Sequence, residues 1–411
     1  MPLQEGVATR VAYKIHTATS MTSNTELVPA SDPGSSGGQE LRRVSSTLTL
    51  QKDTYQSAEI RTDRQVADMR HGTRRVQGEI TGELSLATYF PLIEAAFRAT
   101  KVATFDKSNT DFTSVAAANS TSKFTVGGST WAAQGFRVGD VIRFANLSDA
   151  DNNAKNFLIY ALSTVDAFVY PAPDDMTADT SFTVTRVGTK ITIPTSSHVK
   201  RLWAFEHFHQ DSDITQLFTE CRVTGARFSM PATGLNTISL PITGRKQTIL
   251  TAGSSPFFSS PTAAGTDGIT AAVNGVVMHE GVKVGVLTGI DVNLEMAIDA
   301  PPVAGQDFVP EISLGRSVVT GQATMLFEDA TFLNAFSDET VVEILLMLTT
   351  TSAANSPFMA MAMTNVKFTG ANLPLQGEGS LPITLPFQSL LKPTTTGYDS
   401  TSLGLIDSAA A

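Results

Sequence analysis

The sequence predicts a mainly β protein made of two tandem copies of one strand-and-helix unit, with a small all-β domain inserted in the first copy. Three observations carry this. The 411 residues are 17% charged and 42% hydrophobic, with 30 glycines, 19 prolines and Ser or Thr in almost every block of ten. That composition suits short strands and turns better than long surface helices. From Val44 onward, short alternating or β-branched stretches are separated by Gly, Asp-Asn and Ser-Pro, the pattern of antiparallel strands. Third, several stretches recur in the same order in both halves.

Residues 1–40 read as a flexible N-terminal arm, since 15–40 is rich in Ser, Thr and Gly and has little apolar surface with which to order itself. Met1 to Ser20 is interrupted by Glu5, Arg10 and Lys14, unlike a secretory signal, and nothing approaches the apolar run of a membrane span. The clearest strand runs from Val76 to Leu86: Val76, Gly78, Ile80, Gly82, Leu84 and Leu86 share one face, and Gln77, Glu79, Thr81, Glu83 and Ser85 the other. The period then changes. Leu86, Phe90, Ile93 and Phe97 are spaced for one helical stripe, with Thr88 as N-cap and Pro91 in the tolerant first turn.

Ile80-Thr81-Gly82 matches Val319-Thr320-Gly321 at an offset of 239, and the same offset sets Ile93, Ala96 and Phe97 against Phe332, Ala335 and Phe336. Ser239-Leu240-Pro241-Ile242-Thr243 recurs unchanged as Ser380-Leu381-Pro382-Ile383-Thr384 at an offset of 141, preceded by strand-like Cys221 to Phe228 and Ala362 to Phe368. Leu48-Thr49-Leu50-Gln51 resembles Val292-Asn293-Leu294-Glu295. The offsets differ by 239 − 141 = 98, so the first copy carries an insertion of about that length. The resulting domains are 41–100 plus 199–249 for the first copy, 101–198 for the insertion, 250–280 for a linker, 281–392 for the second copy and 393–411 for a C-terminal tail. Strands are expected in the insertion at Lys123–Val126, Phe136–Phe144, Phe157–Leu162, Ala167–Tyr170 and Phe182–Val187. Pro241 and Pro382 place their strands at an edge or a bulge.

Catalytic and metal chemistry find little support. No P-loop, nucleophile elbow, dinucleotide fingerprint or paired-histidine zinc helix occurs. Asp149, Asp151 and Asn153 open like a calcium loop, but Ala154 and Tyr160 occupy the positions that need Gly and Glu. His207 and His209 lie two apart on one strand with no third ligand set by spacing. Cys221 is the single cysteine, so it closes no intrachain disulfide and reads as a small core residue. No enzyme, catalytic residue, metal or cofactor is expected. The net charge of −10 disfavours a general DNA binder. Arg61, Arg64, Arg70, Arg74 and Arg75 against Asp63 and Asp68 form a local basic cluster, which suits contact with an acidic surface on another subunit better than contact with phosphates.

Ile60-Arg61-Thr62-Asp63-Arg64-Gln65, Gly72-Thr73-Arg74-Arg75-Val76-Gln77-Gly78-Glu79-Ile80, Glu83-Leu84-Ser85 and Tyr89-Phe90-Pro91-Leu92-Ile93-Glu94-Ala95-Ala96 together resemble the major tail tube protein of long-tailed, non-contractile bacteriophages. In the second copy, Ser313 to Gly321 and Phe327-Glu328-Asp329 extend the resemblance, which covers most of 40–100 and 200–392. It implies β-sandwich units, each with a flanking helix, joined side by side into rings that stack into a tube with DNA passing down the bore. Six single-unit subunits commonly close such a ring, so a chain with two units is expected to close it with three copies, six remaining an alternative. The implied partners are further copies of itself, the tape measure protein, and the tail terminator and distal tail proteins. The location is the virion tail, after the host cytoplasm. Gln77, Glu79, Thr81, Glu83 and Ser85, with Arg316, Thr320, Gln322 and Thr324, are expected to face the lumen, where hydroxyl and acidic groups do not hold DNA. Val318 breaks that row. By analogy Arg61, Asp63, Arg64, Asp68, Arg70, Arg74 and Arg75 lie in a hairpin that contacts the next ring, and the insertion decorates the exterior, where it is free to touch host glycans. The rival reading is a carbohydrate-binding or adhesin-like β module, which the Gly- and Thr-rich β composition would also suit.

Overall fold

The computed structural model describes residues 3–22, 24–374 and 379–410. The strands used below are β1 (Thr9–Ile15), β2 (Thr49–Gln56), β3 (Met69–Glu83), β4 (Thr189–Thr192), β5 (Trp203–His209), β6 (Ile214–Val223), β7 (Gly225–Pro231), β8 (Thr237–Gly244), β9 (Lys246–Leu250), β10 (Leu287–Asp299), β11 (Ser313–Leu326), β12 (Val342–Thr349), β13 (Phe358–Phe368), β14 (Pro382–Ser389) and β15 (Gly404–Asp407). The two helices are α1 (Phe90–Phe97) and α2 (Thr331–Ser337). All the strand pairings between these elements are antiparallel, and the protein is mainly β.

The same succession occurs twice: a hairpin, a short helix, a second hairpin, then a strand that returns to the first hairpin. In the first half β2 pairs with β3 and β8 returns to β3; in the second β10 pairs with β11 and β14 returns to β11. Alternation explains the packing. Val76, Ile80, Ile238, Leu240, Ala226 and Phe228 face inward in the first half, and Val292, Leu294, Val319, Leu385 and Phe387 in the second, all in one continuous core. Across that core lie Trp203, Phe205 and Phe218 in the first half and Ile344, Leu346, Met359 and Met361 in the second, so each half is a sandwich of two layers. β7 of the first half pairs with β10 of the second, from Gly225 opposite Glu295 to Pro231 opposite Gly289, and makes the inner layer one sheet.

The glycine shared by the Ile-Thr-Gly and Val-Thr-Gly matches has the same task in both halves. A Cβ at Gly82 would collide with the Tyr89 hydroxyl and one at Gly321 with the Phe387 ring, 2.3 Å away, so each glycine lets an aromatic lie flat on the long strand. The pentapeptide match, by contrast, is out of register. Ser239 lies opposite Thr81, whereas Gln388, not Ser380, lies opposite Thr320. With the long strands aligned at 239, the returning strands align at 388 − 239 = 149, eight residues beyond the sequence offset. Either register keeps Ile-Thr-Leu-type alternation on the correct face, so sequence identity alone does not fix it. Pro241 sits where β8 passes from β6 to β7, beside Thr224, whose N–H donates to the Pro241 carbonyl, and Pro382 begins its strand; both positions dispense with a ladder donor.

α1 is capped differently from expectation. Tyr89 is the N-cap without a side-chain bond, Thr88 turns its hydroxyl to the Leu86 carbonyl, and Arg98 closes the helix in the left-handed region at φ 52°. Six of its eight residues are buried, whereas only Ala335 of α2 is; Phe332 is half-buried and Phe336 is exposed.

Several domain bounds are corrected. β1, inside the expected arm, pairs along its length with β5, and Met21 and Leu27 pack with Leu202, Val309 and Ile312. Arg245, fully buried against Glu220 at 2.8 Å, donates to the Thr22 and Thr25 carbonyls. Polar composition did not prevent order because the segment borrows apolar partners from elsewhere in the chain. β4, inside the expected insertion, pairs with β15, inside the expected tail, and Gly275–His279, in the expected linker, pairs with β12. The separate eight-stranded sheet spans 105–186. Its strands Lys123–Gly127, Val141–Ala145, Phe157–Leu162, Asp166–Tyr170 and Thr183–Arg186 overlap those expected, and Phe105–Ser108, Ser114–Ala118 and Met176–Asp179 are additional. It encloses its own aromatic core around Phe112, Phe124, Trp131, Phe136 and Phe157.

Although inserted in the first half, this sheet packs its apolar face on the second. Val138, Val141 and Leu158 cluster with Met278, Leu345, Met347, Phe358, Ala360 and Ile406, and the last five lie on the opposite faces of β12, β13 and β15 from the main core. That double burial explains the unbroken apolar run Ile344 to Leu348. At the seam, buried Lys190 bridges Asp140 and Asp399, each at 2.5 Å.

Candidate functional site

The outer face of the inner sheet is a polar surface six strands wide. Gln77, Glu79, Thr81 and Glu83 of β3 lie opposite Thr243, Pro241, Ser239 and Thr237 of β8. β7 follows with Arg227 and Ser229, β10 with Glu295, Asn293 and Asp291, β11 with Val318, Thr320, Gln322 and Thr324, and β14 with Gln388, Pro386 and Thr384. Each row is the outward half of an alternating strand whose inward half fills the core.

The face is laced together by its own side chains. Arg227, at its centre, reaches Glu295 at 2.9 Å and Glu79 at 3.6 Å, and the Ser239 hydroxyl donates to Glu79 at 2.9 Å. The Ser229 hydroxyl donates to Asp291 at 2.6 Å, and Thr81 to Ser239 at 3.3 Å. Four carboxylates, Glu79, Glu83, Asp291 and Glu295, stand against two guanidiniums, Arg227 and Arg316, so the surface is hydrated and weakly acidic.

Seven of the nine residues named from the sequence belong to these rows, and exposed Arg316 adjoins them at the break in register between Ser317 and Leu314. Ser85 does not: it lies beyond the end of β3, 1% exposed, beside the Ile269 bridge. Alternation cannot be extrapolated past a strand's last residue. The middle of the face, Arg227, Ser229, Asp291, Asn293 and Glu295, was not anticipated, although Arg-Phe-Ser-Met at 227–230 and Asp-Val-Asn-Leu-Glu-Met at 291–296 carry the same period-two signal.

The β2–β3 hairpin projects from the inner sheet, with 58–71 exposed throughout. Arg61 pairs with Asp63 at 3.0 Å, Arg70 with Asp68 at 2.8 Å, and Arg75 with Asp53 at 3.7 Å, which offsets much of the positive charge read from sequence. Arg74 is corrected: it turns inward to Glu26 at 2.7 Å and Asp307 at 3.1 Å, over the Phe308 ring. Arg64 stays at the tip, among Ile60, Val66, Met69 and Tyr55, all at least half exposed.

The metal and nucleophile candidates have structural partners. Asp149 accepts the Asp151 N–H, and Asn153 both accepts from and donates to the Leu147 backbone at 3.0 Å, so the calcium-like spacing makes a turn. His207 meets the Ser46 hydroxyl at 3.0 Å and His209 the Thr9 hydroxyl at 3.3 Å. Burial, then nearby Arg43 and His209, lowers the His207 pKa to about 4. Cys221 is buried and its thiol pKa is pushed well up by burial, which leaves no thiolate for chemistry. Among the described residues no three His, Cys, Asp or Glu side chains could hold a metal, and no helix is long and apolar enough to cross a membrane.

A continuous polar sheet face backed by a shared core, with an exposed hairpin, defines a structural β protein. Residues 6–389 match the family model of phage tail tube proteins, and the chain belongs to that family. The family is structural and not enzymatic, assembles with itself into a tube and resides in the virion tail. None of the curated proteins compared with it matches the chain.

Proposed function

We propose that the chain closes into rings that stack into a long non-contractile tail tube, with the six-strand polar face turned to the bore. The observation that carries this reading is the continuity of that face through both halves across the β7–β10 junction. A wall of hydroxyls, amides and carboxylates stays hydrated and does not hold phosphates by counterion release, so DNA passes during ejection without being bound. Three copies supply six units and close one ring. The β2–β3 hairpin reaches the next ring through Tyr55, Ile60, Val66, Met69 and the arginine tip. The insertion lies across the core from the polar face, which suits the tube exterior. The tape measure protein occupies the bore during assembly, terminator and distal proteins close the ends, and the subunit waits in the host cytoplasm.

Negative-stain microscopy of the purified protein, with a native mass of single rings, tests this. Rings or hollow tubes of three chains are expected. Monomers that bind glycans would replace this reading with that of a carbohydrate-binding module.

A further inference from the structure

Where the insertion meets the rest of the chain lies a charged cluster that a tube wall does not use. Lys190 of β4 is the one lysine buried among the described residues. Its Nζ lies 2.5 Å from Asp140 Oδ1, just before the insertion strand Val141–Ala145, and 2.5 Å from Asp399 Oδ2, in the C-terminal segment. Backbone bonds fix the two buried partners. Lys190 both donates to and accepts from Val102, while Asp140 donates to the Arg137 carbonyl and accepts from the Ile159 N–H. Asp140 Oδ2 accepts the Arg137 N–H at 2.8 Å, so both of its oxygens are engaged. Arg186, 3% exposed, acts on both carboxylates and brings the cluster to two positive and two negative charges. Burying so many charges adds little stability, because desolvation offsets the pairing. The same packing is what amide formation needs, an amine held against a carboxyl in a site without bulk water.

We propose that Lys190 and Asp140 condense into an isopeptide bond, with Asp399 as the proton carrier. Burial disfavours the ammonium, but Asp140 and Asp399 outweigh it and hold the Lys190 pKa above the ordinary lysine value, so the reaction starts from the ion pair. A proton shift from Nζ to Asp140 Oδ1 gives amine and acid with no exchange with solvent. The Nζ lone pair then attacks Cγ. The new C–N bond forms as the Cγ–Oδ2 π electrons move onto Oδ2, where the Arg137 N–H stabilises them. Asp399 takes one proton from Nζ and passes it to Oδ1, the Cγ–Oδ1 bond breaks as the Cγ–Oδ2 double bond returns, and water leaves. Nothing is oxidised or reduced. The Asp399 side chain, 29% exposed, gives that water its exit. The product replaces one buried ion pair with a neutral amide and leaves Asp399 with Arg186, so the cluster stays balanced in charge. The bond closes a loop of 190 − 140 = 50 residues and ties the insertion to β4, which pairs with β15. It does not depend on which face lines a bore.

Mass spectrometry of the full-length protein, folded and then denatured, tests this. The chain is expected to be lighter than its sequence by one water, and trypsin is expected to leave Lys190 uncut and to release residues 138–143 joined to 187–200. Asp399→Asn and Lys190→Arg are each expected to keep the full mass of their sequence with the circular dichroism spectrum of the wild type. Wild-type protein at full mass, cut after Lys190, would overturn the proposal. So would loss of one water with Lys190 still cut, the mark of a cyclised aspartate. A link from 187–200 to the peptide that contains Asp399 would overturn Asp140 as the acyl partner, and a bond that forms as fast in Asp399→Asn as in the wild type would overturn Asp399 as the carrier.

Discussion

His207 is buried between Ser46 and the Phe218 ring, with Arg43 and His209 near, and carries its proton far less readily than an unfolded histidine. Its folded pKa of about 4 lies below the ordinary 6.5, so between those values the unfolded chain binds more protons. Stability from this group is full above pH 6.5 and is lost as pH falls toward 4, by at most about 3 kcal/mol. His207→Gln is expected to flatten the rise in urea midpoint between pH 4.5 and 7; an unchanged slope would assign the acid sensitivity elsewhere. At this scale the sequence was legible where one period governed a side chain. Glu79 and Thr81 could be placed because Val76 and Ile80 alternate with them. Ser85 could not, because the strand's end is set by the partner strand. Arg74 could not, because its acceptors, Glu26 and Asp307, are distant in sequence.

Among the elements, the β12–β13 hairpin carries the firmest expectation, since it is apolar on both faces and the face away from the main core is covered by the insertion. If residues 104–187 are replaced by a short Gly-Ser linker, Leu345, Met347 and Phe358 lose their cover. The shortened protein is expected to aggregate, read as a several-fold rise in light scattering. Adding Leu345→Gln, Met347→Thr and Phe358→Ser is expected to restore solubility. A shortened chain that stays soluble without those changes would show that the insertion does not serve as the hairpin's second layer. The run Ile344 to Leu348 was visible in the sequence, but an apolar run of this length does not reveal what covers each side. Nor does the insertion's place in the first copy reveal which half it packs on: chain order gives the attachment point, and packing gives the neighbour. α1 was readable because its stripe is buried within the chain; α2 was less so because Phe336, on the matching stripe, stays exposed.

For the whole molecule, under the proposal that the polar face lines the bore, the charge of that face decides whether a tube conducts or retains DNA. Glu79, Glu83, Asp291 and Glu295 outnumber Arg227 and Arg316, so the wild-type wall has no net positive charge with which to release counterions. Changing all four carboxylates to lysine reverses the sign without touching the inward rows of the core. Assembled variant tubes are then expected to bind duplex DNA with an affinity that falls steeply with salt, the slope of log K against log salt being about −0.9 for each phosphate neutralised, while wild-type tubes show no such binding. The same variant in virions is expected to slow genome exit, read by fluorescence of released DNA, with tail length unchanged. Tight, salt-dependent binding by wild-type tubes would remove the case for this face as the bore. If variant tubes are as inert as wild type although they assemble, the carboxylates face elsewhere and another surface lines the channel.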